Sequence, residues 1–174
     1  MEQEKIMTHI TKGLIIGLIG IIIGVAGYLS HLDQQSWFKW LSVVITCGGI
    51  IWACIYYAQQ MDGRVTFGNI FYHGFKTTLI ITILSLVWVI LAFTVLFPDM
   101  KEHALEISRK QMEDGGKMTP DQIDQSMAFV QKSFMLFVIL GVIFGSLIAG
   151  VIASLIGAGV AKKKPVNPLD QLSS

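Results

Sequence analysis

Charge is what this sequence has least of. Only 14% of its 174 residues are Asp, Glu, Lys or Arg, against about 25% in a soluble domain. The two cysteines, Cys47 and Cys54, form no CxxC, so a disulfide scaffold and a cysteine-rich zinc site are excluded. Seven residues apart on a helix they stand about 10 Å from each other, too far to be bridged, and read as small packing residues. No glycine-rich phosphate loop, GxSxG, HExxH or HxxxH occurs. His9, His31 and His103 are scattered, so neither a metal nor a cofactor is expected. A net charge of +1 leaves no basic field for a nucleic acid.

What is present is apolar: 53% of the chain, with a mean hydropathy of +0.62. A helix crosses the hydrocarbon core with about 20 apolar residues. The spans expected on that basis are 13–30, 37–58, 77–97 and 133–161, within one domain covering 13–161. Only Lys39, at the entrance of the second, is charged. The first run follows a lysine-bearing segment, and Gly24-Val25-Ala26 loosely resembles a leader cleavage site, but the run exceeds the roughly 7–15 residues of a leader core. The fold class expected is therefore all-α: four transmembrane helices with a polar helical hairpin between the third and fourth. Residues 1–12 read as an N-terminal segment and 162–174 as a basic, disordered tail.

The connections refine this picture. Residues 31–36 make a tight link. Asp62-Gly63-Arg64 signals a turn, and the aromatic stretch 66–75 reads as an interfacial helical lead-in to the third span. Pro98 disfavours helical backbone at Phe97 and suits the start of a new helix, which Gly115-Gly116 ends. Thr119-Pro120-Asp121-Gln122 is a capping box. Ile123, Met127, Val130 and Phe134 then run at helical spacing into the fourth span. Segment 98–132 thus predicts a two-armed hairpin.

Basic residues set the orientation. Lys5, Lys12, Arg64, Lys76, Lys162, Lys163 and Lys164 fall on the side of the termini. Lys39, Lys101, Arg109, Lys110, Lys117 and Lys132 fall opposite. The numbers nearly balance, but Lys162-Lys163-Lys164 abuts the end of the fourth span. That distribution predicts cytoplasmic termini and an extracytoplasmic hairpin in a bacterial inner membrane. Tyr28, Trp37 and Trp40 would mark the outer boundary, with Tyr56 and Tyr57 at the inner one.

Small residues recur at helical spacing. Gly13, Gly17, Gly20, Gly24 and Gly27 occupy about an 80° face. The fourth span has Gly141, Gly145, Ala149, Ala153, Gly157 and Ala161 at intervals of four. Such faces permit close van der Waals contact in lipid, and the simplest reading packs the two against one another. A homo-oligomer seam or the lining of a narrow path is the alternative. Thr46, Thr82, Ser85, Thr94, Ser146 and Ser154 read as hydroxyls bonded to preceding carbonyls or neighbouring helices.

The polar group near the membrane with most chemical interest is Asp62, Arg64, His73 and Lys76. It reads either as an interfacial anion or headgroup site or as an ordinary snorkelling boundary.

Several of these features together resemble a known family: Lys12-Gly13 leading a glycine-rich span, the stretch Gly63-Arg64-Val65-Thr66-Phe67-Gly68 followed by Phe71 and Gly74, and Phe97-Pro98 before a polar hairpin. The chain looks like the bacterial integral-membrane proteins grouped as domain of unknown function 4199, over roughly Met7 to Lys163. The resemblance implies a four-span bacterial membrane protein and supplies no catalytic or ligand residues. The function expected is a non-enzymatic structural or accessory membrane component, seated in the lipid bilayer and meeting a protein partner through the hairpin. A small-solute or ion transporter acting as an oligomer is one alternative. A lipid-modifying enzyme working at His73 is another.

Overall fold

The computed structural model describes residues 7–30, 32 and 35–164. Residues 1–6, half of the tight link and residues 165–174 of the tail lie outside them. Among the described residues five α-helices follow in order: α1 (His9–Leu29), α2 (Ser36–Gln60), α3 (Phe67–Leu91), α4 (Asp99–Asp114) and α5 (Pro120–Val160). A π-helical turn, Ala92–Leu96, extends α3. No strand occurs among the described residues. Four of these helices are long and apolar enough to cross a membrane.

The helix bounds differ from the expected spans at the terminus side. α1 starts at His9, not near residue 13, because Thr8 caps it: the Thr11 N–H donates to Thr8 Oγ1 at 3.3 Å. Lys12 therefore lies within the first helix. The lead-in 66–75 and the third span form one unbroken helix. Thr66 Oγ1 accepts from the Asn69 N–H at 3.2 Å to open it, and no proline follows until Pro98.

The chain divides into two compact units. One comprises residues 1–85 and 145–174 and the other residues 86–144. In the first, α1 and α3 run parallel. Gly13 of α1 faces Thr77 and Ile80 of α3, and Gly17 faces Leu84. α2 runs antiparallel to α1, with Gly49 against Ile16 and Gly27 against Phe38. The end of α5 closes the group. Gly150 meets Thr78, Gly157 meets Cys54 and Ile51, and Gly74 of α3 is approached by Cys54 and Ser154 together. Ile16, Ile50, Ala53, Ile81 and Ala153 form one core layer, and Cys54, Ala58, Val65, Ile70, Ala158 and Ala161 another.

The two small faces do not pack against one another as expected. Gly13, Gly17 and Gly27 admit α3 and α2, and Gly157 with Ala153 admits α2 and its core. Gly20, Gly24, Gly141 and Gly145 have nothing within 4 Å of the place a Cβ would take. The notches are filled instead from α2 and α3: Ile80, Leu84 and Phe38 lie at the glycines of α1, and Thr78 and Cys54 at Gly150 and Gly157 of α5.

The threonines behave as their spacing implies, and Ser154 does not. Thr46, Thr77, Thr78, Thr82 and Thr94 each donate to the carbonyl four residues earlier, at 2.6–3.1 Å. Ser154 Oγ is buried without a partner.

In the second unit the π turn is closed by the Phe97 N–H on Ala92 O at 2.8 Å, a five-residue step. Pro98 then opens α4, with Phe97 held out of helical backbone at φ −140. Gln122 Oε1 accepts from the Thr119 N–H at 3.0 Å, one half of the capping box that starts α5. Phe93 packs edge-on against the buried Phe134, with ring centres 5.2 Å apart.

Gly74→Ala should cost about 1–3 kcal/mol, because its Cβ would stand 2.7 Å from Ser154 Oγ and press on Cys54 Sγ. Gly20→Ala, which meets nothing, should leave stability level or slightly raised. Melting temperatures of the two variants in one detergent check this; equal values would contradict the packing.

Candidate functional site

Three helix ends converge at the terminus side of the first unit: the start of α1, the end of α2 and the start of α3. His9 lies four residues before Gly13, on the stripe of α1 that faces α3. His73 lies four before Thr77, on the stripe of α3 that faces back. The glycine contacts therefore carry these two rings together: their centres are 5.9 Å apart, edge to face.

Lys12 fills the space between α1 and the end of α2, and it is wholly buried. Its ammonium donates to Gln60 Oε1 at 3.1 Å and lies 3.3 Å from His73 Nε2. Lysine has donors only, so His73 accepts through Nε2 and Nδ1 carries the ring's proton. The ammonium sits 4.8 Å from the centre of the Tyr56 ring and 5.8 Å from that of Tyr57, within reach of cation–π attraction. Tyr57 in turn stacks on His73 at 4.1 Å with the rings 9° from parallel. Two tyrosines expected to anchor a lipid boundary are thus turned toward a buried cation. Among the described residues both ion pairs belong to Arg109. Lys12 is held by a neutral amide, a ring nitrogen and aromatic faces.

Beside this cluster opens a cleft of about 380 Å³. His9, His73 and Lys76 supply its basic groups, Thr8 and Asn69 its small polar ones, and among the described residues no acidic side chain lines it. The Lys76 ammonium is held 4.4 Å from the centre of the Tyr72 ring.

The expected group Asp62, Arg64, His73 and Lys76 is split. His73 and Lys76 share this cleft. Asp62 lines a second recess, of about 520 Å³, with Gly63 and Lys162 to Lys164. Arg64 lines neither. Backbone geometry makes the division. The Gly63 N–H returns to Ala58 O at 2.8 Å and the Asp62 N–H to Gln59 O at 2.9 Å, a Schellman closure of α2. It sets Asp62 at φ 52 and Gly63 at φ 75, and turns residues 62–64 toward the end of α5. There the Lys164 N–H donates to Gly63 O at 2.9 Å, and the Lys163 ammonium donates to Ala158 O at 2.9 Å while lying 5.0 Å from the centre of the Phe67 ring.

Reasoning from the sequence missed His9, Lys12, Gln60 and the tyrosine contacts. A signal was present. Continuing the glycine stripe one step back, from Gly17 and Gly13, reaches His9, and Lys12 adjoins Gly13. What concealed it was placing the helix start after Lys12.

An all-α chain with four apolar helices, and a buried cation where three of them end, is a multi-pass membrane protein. It belongs to the family described as Protein of unknown function (DUF4199), whose model matches residues 11–163. No curated protein and no solved structure matches it. Four residues of the stretch 63–74 have structural roles: Gly63 takes the left-handed turn, Thr66 caps α3, Phe67 receives Lys163, and Gly74 admits Cys54 and Ser154.

Gln60→Leu removes the acceptor of a buried ammonium and should cost about 1–3 kcal/mol. Adding Lys12→Met to that variant should recover most of the loss, because an apolar chain of similar volume needs no acceptor. A double-mutant cycle on stability in detergent measures the coupling; purely additive losses would contradict the contact.

Proposed function

We propose that this protein is a non-enzymatic structural or accessory component of the bacterial inner membrane, that its termini are cytoplasmic, and that segment 98–132 meets a protein partner on the opposite side. The observation that carries this reading is the hairpin formed by α4 and the start of α5. Arg109 on α4 donates to Glu113 at 3.0 Å and, across to α5, to Asp124 at 2.7 Å. These pairs are exposed, so each contributes little, about 0–1 kcal/mol. The arm's own buried apolar anchors are Ile123 and Phe134. No residue of α4 is buried, and both arms carry charge of both signs. An ordered, mixed-charge surface suits reversible contact with another protein. The orientation is supported by the run Lys162-Lys163-Lys164 that follows α5.

A transporter is the second reading. Lys12 favours it, since an ionisable group inside a membrane segment is by default a functional candidate. Flux of ions or small solutes into liposomes holding the purified protein would establish that reading.

Replacing residues 101–119 by a glycine–serine linker of equal length should leave membrane insertion intact. It should abolish a cross-link formed from a photoreactive residue at Glu106 to one partner, identified by mass spectrometry and confirmed by the reciprocal pull-down. Cross-linking only to lipid would contradict a partner surface. In intact cells an impermeant maleimide should label Lys117→Cys and spare Lys164→Cys; the reverse pattern would overturn the orientation.

A further inference from the structure

The first-unit cleft and the buried cation behind it make one electrostatic object. His9, His73 and Lys76 line the cleft, and the Lys12 ammonium touches the inner edge of His73. Among the described residues that line the cleft, every titratable side chain except Tyr57 and Tyr72 is basic. A buried cation with only neutral partners is costly, and low-dielectric walls on both sides focus its field into the open space next to it. The first turn of α1, a helix of 21 residues, borders the same cleft and adds partial positive charge.

We propose that this cleft binds a phosphate-bearing anion at the membrane boundary. His73 is the positioning element. Its Nε2 accepts from Lys12, so its remaining nitrogen is a donor, and Lys12 stabilises an anion through the ring without touching it. Lys76 and His9 supply the flanking donors, and Thr8 and Asn69 can complete a tetrahedral set of oxygens. Phosphate fits better than a halide: about 380 Å³ lies within the usual range of small-molecule sites, far beyond one bare ion. Met7 and Ile10 give the cleft an apolar flank on which the glycerol and first acyl carbons of a lipid can rest. The chemistry serves either a phospholipid headgroup or a soluble phosphate ester. Neither depends on the hairpin having a partner.

The test uses the full chain in nanodiscs of phosphatidylcholine. One arm adds phosphatidic acid, the other adds inorganic phosphate, and both read binding from the rise in melting temperature. Phosphatidic acid should stabilise the protein. Lys76→Gln, folded as judged by its melting without the probe, should bind it about fivefold more weakly, the worth of one lysine at a membrane surface, and His9→Ala, folded by the same criterion, should also bind it more weakly through loss of a donor. Lys163→Gln, in the other recess, should bind as the unaltered chain does. Stabilisation by inorganic phosphate alone, lost in the same two variants, would support the site with a soluble ligand. Binding of neither probe, unaltered binding in both variants, or an equal loss in Lys163→Gln would overturn the proposal.

Discussion

Lipid offers no hydrophobic reward for bringing two helices together, so this fold depends on close contact at a few glycines. Gly13 and Gly17 let α3 lie against α1, and Gly74, Gly150 and Gly157 let α2, α3 and α5 interlock. In each case an atom of the neighbouring helix stands within 3 Å of the place a Cβ would take. The contact also fixes register. Once Gly13 is seated at Thr77 and Ile80, His9 must fall at His73 and Lys12 must enter the gap toward Gln60. The charged cluster is thus a consequence of the packing one turn deeper in the bundle.

The same dependence explains why Lys12 is tolerated. A lone ammonium among apolar helices would be expelled or would snorkel outward. Here the end of α2 brings an amide oxygen and two aromatic faces to it, and α3 brings a ring nitrogen. The Schellman closure at Asp62 and Gly63 ends α2 immediately after Gln60 and turns the chain toward α3 and the end of α5.

Much of this architecture is legible in the residues themselves. Apolar runs of membrane length, Pro98 after Phe97, the paired glycines at 115 and 116 and the capping box at Thr119 mark the helices and breaks that the structure contains, because each is a local rule. The partners of the glycine faces are not local. Spacing shows that a face is smooth and leaves open which helix meets it, so Gly13 and Gly157 read equally well as facing each other. The site suffered the same way. Asp62, Arg64, His73 and Lys76 are near in sequence, and proximity along the chain suggested one group. The left-handed turn at Gly63 sends Asp62 to the lysines that follow α5, while His73 finds Lys12 across 61 positions of chain. Lys12 itself was hidden by its type: a lysine before an apolar run reads as a boundary charge until a cap such as Thr8 is seen to start the helix ahead of it.

The central claim is that α1 and α3 pack in the register that places Lys12 on His73. Nitrogen-15 correlation spectroscopy on the protein in lipid bilayers tests it most directly. The account predicts a through-space correlation between Lys12 Nζ and His73 Nε2, with the lysine protected from exchange with water. A rapidly exchanging Lys12 with no correlation to His73 would contradict it.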